Sequence, residues 1–226
     1  MLSALHSWPA SAKKAVALQR QLARQVVLQP LPRRPQLIAG ADVGYRPDDS
    51  KVVAAVAVYR LPQLELQELL TVEDHVSFPY VPGLLSFREI PSLLKAFEHL
   101  QLQPDIVLCD GQGVAHPRRL GLASHLGLWL QVPTVGCAKS RLVGEHGRVG
   151  ENRGQYRSLM HAGERLGVVL RTRRRVKPLY ISPGHLADVD SSMRLVLRCC
   201  RRFRLPEPIR RAHLTVQREV HSRAAT

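Results

Sequence analysis

The four cysteines of this 226-residue chain form no framework. Cys109 and Cys137 lie inside apolar runs, Cys199 and Cys200 are adjacent, and no C-x-x-C spacing occurs, so neither a disulfide scaffold nor a zinc or dithiol motif is encoded. A reducing, cytoplasmic setting fits that usage. No apolar run approaches the roughly 20 residues of a membrane-spanning helix, and residues 1–15 lack a continuous apolar segment of signal-peptide length. A soluble protein with no membrane partner is expected. Internal repeats and low-complexity tracts are missing as well. So are the common nucleotide signatures. There is no G-x-x-x-x-G-K-[ST], and the glycine pair Gly111 and Gly113 is followed by His116 and Pro117 where a dinucleotide fingerprint requires Gly or Ala.

What the chain does have is positive charge. It carries 33 Lys and Arg against 18 Asp and Glu, a formal net charge of +15. The excess is uneven, since residues 165–226 hold 15 basic and four acidic side chains. Such a surface concentrates phosphate-bearing partners and predicts salt-dependent binding. The runs 171–177 and 194–204 read as phosphate contacts or solvated helix faces. A hydrophobic content of 45% suits one large domain spanning residues 1–226, with residues 1–35 as a leading helix and a proline-rich linker.

Residues 11–27 place Ala15, Leu18, Leu22 and Val26 at helical spacing before Pro30, Pro32 and Pro35 end the pattern. Strand-like stretches follow at 37–43, 52–59 and 64–76, with connections short enough to make them antiparallel neighbours. Helical periodicity at 86–100 leads to a strand at 105–109, and a helical stretch at 120–130 leads to another at 134–137, an order that implies parallel crossovers. Weaker signals suggest strands at 167–171 and 179–182 and helices at 188–203 and 207–220. Residues 144–157, rich in Gly, Arg and Asn, read as a mobile loop.

Two of these strands carry a carboxylate beside glycine: Asp42 within Gly40-Ala41-Asp42-Val43-Gly44, and Asp110 after the apolar run Ile106-Val107-Leu108-Cys109 and before Gly111-Gln112-Gly113. Three antiparallel strands followed by strands delivered through helices outline an α/β fold with a ribonuclease H-like mixed sheet flanked by helices. In that sheet the first and fourth strands are adjacent, so Asp42 and Asp110 would face each other. Paired carboxylates suit Mg²⁺, which binds through one or two such groups plus substrate phosphate. Glu89, expected in the first turn of the following helix, would complete an acidic trio; alone, it reads more readily as complementing the helix dipole, and the two aspartates tip the balance. Pro79-Tyr80-Val81-Pro82-Gly83 holds an aromatic between stiffening prolines, where it can stack on or wedge between bases or simply pack as a turn.

Taken together these segments resemble the endonuclease V family. The resemblance is carried by Gly40-Ala41-Asp42-Val43-Gly44, Pro79-Tyr80-Val81-Pro82-Gly83, Phe87-Arg88-Glu89, Asp110-Gly111-Gln112-Gly113, His116-Pro117-Arg118-Arg119-Leu120-Gly121, Ala123-Ser124-His125, Ala138-Lys139 and Arg204-Leu205-Pro206-Glu207-Pro208. It implies a magnesium-dependent DNA repair endonuclease, with Mn²⁺ a plausible substitute, that recognises deaminated adenine (inosine, hypoxanthine). Such an enzyme hydrolyses the second phosphodiester bond on the 3′ side of the lesion, leaving 3′-hydroxyl and 5′-phosphate ends.

By the same resemblance Asp42, Glu89 and Asp110 are the metal-binding and catalytic carboxylates, with Lys139 and His213 completing the catalytic set. Pro79, Tyr80, Val81 and Pro82 form a wedge, and Gly83, Leu85, Gly111, Gln112, Gly113, His116 and Gly121 form the surroundings of an extruded base. The expected partner is DNA containing deoxyinosine, or RNA containing inosine, bound by a monomer. Competing readings are a structure-selective ribonuclease H-like nuclease using the same acids, an inosine-specific ribonuclease, and a non-catalytic basic nucleic-acid-binding protein.

Overall fold

Residues 4–222 are described by the computed structural model, and within them eight strands form a single sheet. The apolar stretches at the start become β1 (Leu37–Tyr45), β2 (Lys51–Arg60) and β3 (Glu65–His75), an antiparallel meander. Helix α2 (Leu85–His99) then carries the chain back to β4 (Ile106–Cys109), which pairs parallel to β1, and α3 (Leu122–Leu130) does the same for β5 (Thr134–Ala138) beside β4. A second meander, β6 (Tyr156–His161), β7 (Glu164–Leu170) and β8 (Leu179–Pro183), joins through β8, antiparallel to β5. The strand order β3-β2-β1-β4-β5-β8-β7-β6 puts the first and fourth strands side by side.

The remaining helices are α1 (Ala12–Ala23), α4 (Val189–Cys199) and α5 (Glu207–Ser222). Ser11 caps the start of α1 and Asp188 that of α4, each accepting a backbone N–H three residues on. One face of the sheet, with Ala39, Ala41, Val107 and Cys109, packs against Ile90, Leu93, Leu122 and Leu126 of α2 and α3. The opposite face, with Ile38, Leu108 and Val135, packs against Val196 of α4 and Ile209, Ala212 and Val216 of α5. All four cysteines are buried and free.

Three segments depart from the expectations. Helix α4 ends at Cys199 rather than at residue 203: the backbone turns extended at Cys200, and Arg153 donates to the carbonyls of Leu197 and Cys200 left at the helix end. Strand β6 went unforeseen: it is an edge strand in which only Leu159 is buried, so it lacks the alternation that marks a strand facing a core. Of the mobile loop expected at 144–157, residues 156–157 open β6, and residues 144–155, though irregular, are tied down. Arg171 donates to the carbonyls of Val149 and Gly150, and Glu145 pairs with Met160.

The placement of α5 depends on Gly40. A Cβ there would lie 2.1 Å from the carbonyl carbon of Pro208 and 2.3 Å from the amide of Ile209, so the first turn of α5 rests directly on the β1 backbone. Gly40→Ala should force α5 off the sheet at a cost of about 1–3 kcal/mol, the usual range for overpacking. Gly147→Ala, where the nearest atom to a Cβ is 4.0 Å away, should change stability by no more than ~0.5 kcal/mol. Denaturant unfolding of the two variants checks this, and equal stabilities would show that α5 is not seated by the glycine.

Candidate active site

Parallel pairing aligns Ala41 with Cys109, and the Asp110 amide extends the ladder by donating to the Ala41 carbonyl at 3.1 Å. The next residue on each strand is an aspartate, so Asp42 and Asp110 stand side by side at the same end of the sheet. From α5, held close by Gly40, His213 donates through Nδ1 to Asp42 Oδ2 at 2.7 Å. From the end of β5, Lys139 Nζ meets Asp110 Oδ2 at 2.5 Å. The backbone carbonyl of Lys139 is itself anchored by Arg204, which donates to it and to Pro178, each at 2.8 Å.

Glu89 arrives from α2, where it is buried and accepts from the Tyr45 hydroxyl at 3.3 Å. The helix begins at Leu85, so Glu89 is its fifth residue, beyond the first turn expected from the sequence; complementing the helix dipole does not account for it. Burial, and then the charge of Asp42, push its carboxyl from 4.5 up to about 8, with Asp110 adding to the rise and Tyr45 and Arg88 opposing it. Asp110 is raised by burial and by Asp42, against the pull of Lys139. Arg88 lies over the Tyr45 ring at 4.4 Å and pairs with Asp49, which fixes Tyr45 against the acid.

The donor set fits a divalent cation. One ligand atom from each of Asp42, Asp110 and His213 lies within 4.8 Å of the others, and both raised carboxylates record negative charge crowded into a buried place. Glu89 stands outside that group of three but feels both aspartates.

Beside the acids opens a cavity of about 460 Å³. Tyr80, Val81, Pro82, Gly83, Leu85, Gly111, Gln112, His116 and Gly121 line it, together with Asp110 and Lys139. Tyr80 remains 69% exposed at its rim, free of the packing a structural turn would give it. Pro79 is exposed and does not line the cavity. Gly113 is buried behind the wall, where a Cβ would sit 2.0 Å from the carbonyl oxygen of Pro183. Both ring nitrogens of His116 are committed. Nδ1 accepts from the Arg118 amide, so the hydrogen is on Nε2, which donates to the Gly83 carbonyl at 3.0 Å. Burial, followed by the nearby Arg118 charge, lowers its pKa to about 4 and keeps it neutral. His116 therefore clamps the loop of residues 79–83.

Sequence reasoning did not find Tyr45, Ser86, Arg141, Leu142 or Gln19. Gln19 is 1% exposed in α1, far from the acids in sequence, yet it donates to the carbonyls of Gly83 and Leu120 and accepts from Arg118. Its one legible signal was an amide at a position facing inward on the amphipathic α1. His185 has a structural contact, accepting from the Val27 amide through Nδ1.

The profile of the Endonuclease V family matches residues 20–214. Endonuclease V of Gloeobacter violaceus is 50% identical over 213 residues, covering 93% of this chain and 87% of that protein. The crystal structure of Endonuclease V from Streptomyces avermitilis superposes with a TM-score of 0.91 at 39% identity, covering 97% of both chains. Endonuclease V of Ciona intestinalis, solved with a 23mer DNA containing an inosine followed by a ribo-adenosine, gives a TM-score of 0.84 at 25% identity over 93% of this chain and 97% of that one. No described helix is long and apolar enough to cross a membrane. With its mixed ribonuclease H-like sheet, its matching profile and relatives alike along nearly their whole length, this chain belongs to the Endonuclease V family.

Proposed function

We propose that this protein is a DNA repair endonuclease that captures an extruded hypoxanthine and, with magnesium, hydrolyses the second phosphodiester bond on its 3′ side, leaving 3′-hydroxyl and 5′-phosphate ends. The observation that carries this reading is the continuity of the cavity with the acidic cluster: Asp110 and Lys139 line the same space as Tyr80 and Gly83. A base extruded into the cavity would bring its own backbone up to the carboxylates, whereas a structure-selective nuclease needs neither the pocket nor the aromatic at its rim. The lead experiment is incision of matched duplexes with and without inosine, in the presence and absence of Mg²⁺, with inosine-containing RNA assayed in parallel. Magnesium-dependent incision confined to inosine is expected; equal incision of both duplexes would sink the reading.

In this reading Asp42 and Asp110 hold the cation, with His213 orienting Asp42. When bound, a divalent cation supplies charge neutralisation at the scissile phosphate and lowers the pKa of water. Glu89, fixed by Tyr45, orients the attacking water, and only its ionised form would take that water's proton. Lys139 faces the charge that develops on the phosphate or on the departing 3′ oxygen. The wedge of Pro79, Tyr80, Val81 and Pro82 fills the gap left in the stack.

Three outcomes follow from these assignments. Asp110→Ala should abolish incision while retaining the fold and part of the nucleic-acid affinity; normal turnover by that variant would remove Asp110 from the chemistry. Tyr80→Ala should weaken binding to inosine-bearing duplex by about 1–3 kcal/mol, as for an aromatic that stacks on bases. An equal loss on undamaged duplex, measured by the same titration, would make Tyr80 a general contact.

The third outcome is a pH dependence. A glutamate raised from 4.5 to about 8 stabilises the fold below its unfolded value, and that contribution disappears as pH rises through the folded value. The metal-free protein should therefore lose stability between about pH 5 and about pH 8.5, and Mg²⁺ should raise Tm more at the upper end, where it no longer competes with a proton. Glu89→Gln should flatten both trends in thermal denaturation. An equal Mg²⁺ increment at both pH values in the unmodified protein would contradict the assignment.

A further inference from the structure

The segment preceding α1 reaches the cavity through a chain of hydrogen bonds that can run in only one direction. Ser86 lines the cavity, and its Oγ is 3.0 Å from Nδ1 of the fully buried His125. Nε2 of His125 is 2.8 Å from Nε2 of His6. His6 Nδ1 faces the Ser7 carbonyl at 3.0 Å, and Trp129 Nε1 points to His6 Nε2 at 3.2 Å.

The two ends of the chain determine where every hydrogen sits. A carbonyl only accepts and an indole N–H only donates. His6 therefore carries its hydrogen on Nδ1 and a lone pair on Nε2. Burial lowers the pKa of both histidines, so each ring holds one hydrogen at neutral pH. His125 must then donate through Nε2, sharing the one His6 Nε2 lone pair with the longer Trp129 contact, which leaves its Nδ1 bare and able only to accept. The hydroxyl hydrogen of Ser86 is taken by that nitrogen, and Ser86 has nothing but lone pairs to offer the cavity. Gln112 on the same wall gives a parallel signal: its amide nitrogen donates to the Ser140 carbonyl at 3.0 Å, and its buried Oε1 has no partner. The wall is thus stocked with acceptors awaiting a donor.

We propose that Ser86 is a specificity-determining residue whose hydroxyl, oriented by His125 and His6 as positioning residues, accepts the ring N–H of a 6-oxopurine and disfavours purines with a lone pair at that ring nitrogen. The inference rests on the base-pocket reading above and adds to it the atom that reads the lactam. Hypoxanthine presents N–H at the ring position where adenine presents a lone pair, so an acceptor-only hydroxyl satisfies the first and opposes the second.

The test has a spectroscopic arm and a kinetic arm. Long-range ¹H–¹⁵N spectra of the full chain near neutral pH should show His125 protonated on Nε2 and His6 on Nδ1; the opposite tautomer at His125 overturns the proposal. In single-turnover incision, Ser86→Ala should slow cleavage at hypoxanthine by roughly fivefold to tenfold relative to cleavage at unsubstituted purine, which lacks the N–H. His125→Phe retains an aromatic against Phe87 but frees the Ser86 hydroxyl to rotate, and should erode the same ratio with Ser86 still present. If both variants slow the two substrates equally, Ser86 and His125 serve packing only and the proposal is wrong. A wild-type protein that fails to prefer inosine over adenine overturns the base-pocket reading itself, an outcome separate from an unchanged ratio in the variants.

Discussion

Everything at this site turns on like charges forced together away from water. Asp42, Glu89 and Asp110 meet at one end of the sheet, and the carboxyls of Glu89 and Asp110 are raised because burial and their acidic neighbours disfavour ionisation. Side chains from other elements face this charge. Lys139 pairs with Asp110, His213 donates to Asp42, and Glu89 takes a hydrogen bond from Tyr45. Each of these partners comes from a different element, so the acidic cluster is where β1, β4, β5, α2 and α5 are made to converge.

That convergence is possible because the backbone is stripped of bulk where elements cross. Gly40 lets the start of α5 lie on β1, which delivers His213 to the neighbouring Asp42. Gly113 lets the chain after Asp110 press against β8, where its amide donates to Ser182 at 2.8 Å. Behind the cavity wall these elements meet backbone to backbone, with no room for a side chain between them. The loop of residues 79–83 is braced as well, with the Gly83 carbonyl accepting from Gln19, His116 and Arg118.

The positive charge divides into two uses. Arg153, Arg171 and Arg204 spend their guanidinium hydrogens on backbone carbonyls at a helix end, in the 144–155 segment and behind Lys139. Arg173 and Arg174 are exposed. A net charge of +15 thus overstates the surface available to a polyanion, since part of it serves as internal caps that a composition cannot distinguish from phosphate contacts.

The sequence by itself determined the first five strands of the sheet and the meeting of two aspartates at its end. Alternating and continuous apolar runs marked β1 to β5, the short connections made the first three antiparallel, and the helical intervals required parallel entry for β4 and β5. With that order, two aspartates at matching strand positions had to become neighbours. Tyr80 between two prolines was equally plain, because local stiffness is a local property. Only the tertiary structure decided the partners that share no period and no proximity along the chain. Gln19 and Arg118 are 99 positions apart, His6 and His125 119, and Asp42 and His213 171. An edge strand such as β6, with one buried side chain, also left no pattern to read. Periodicity reports which face of an element is buried; which atom of another element waits there, and which way its hydrogen points, is decided by packing across the whole chain.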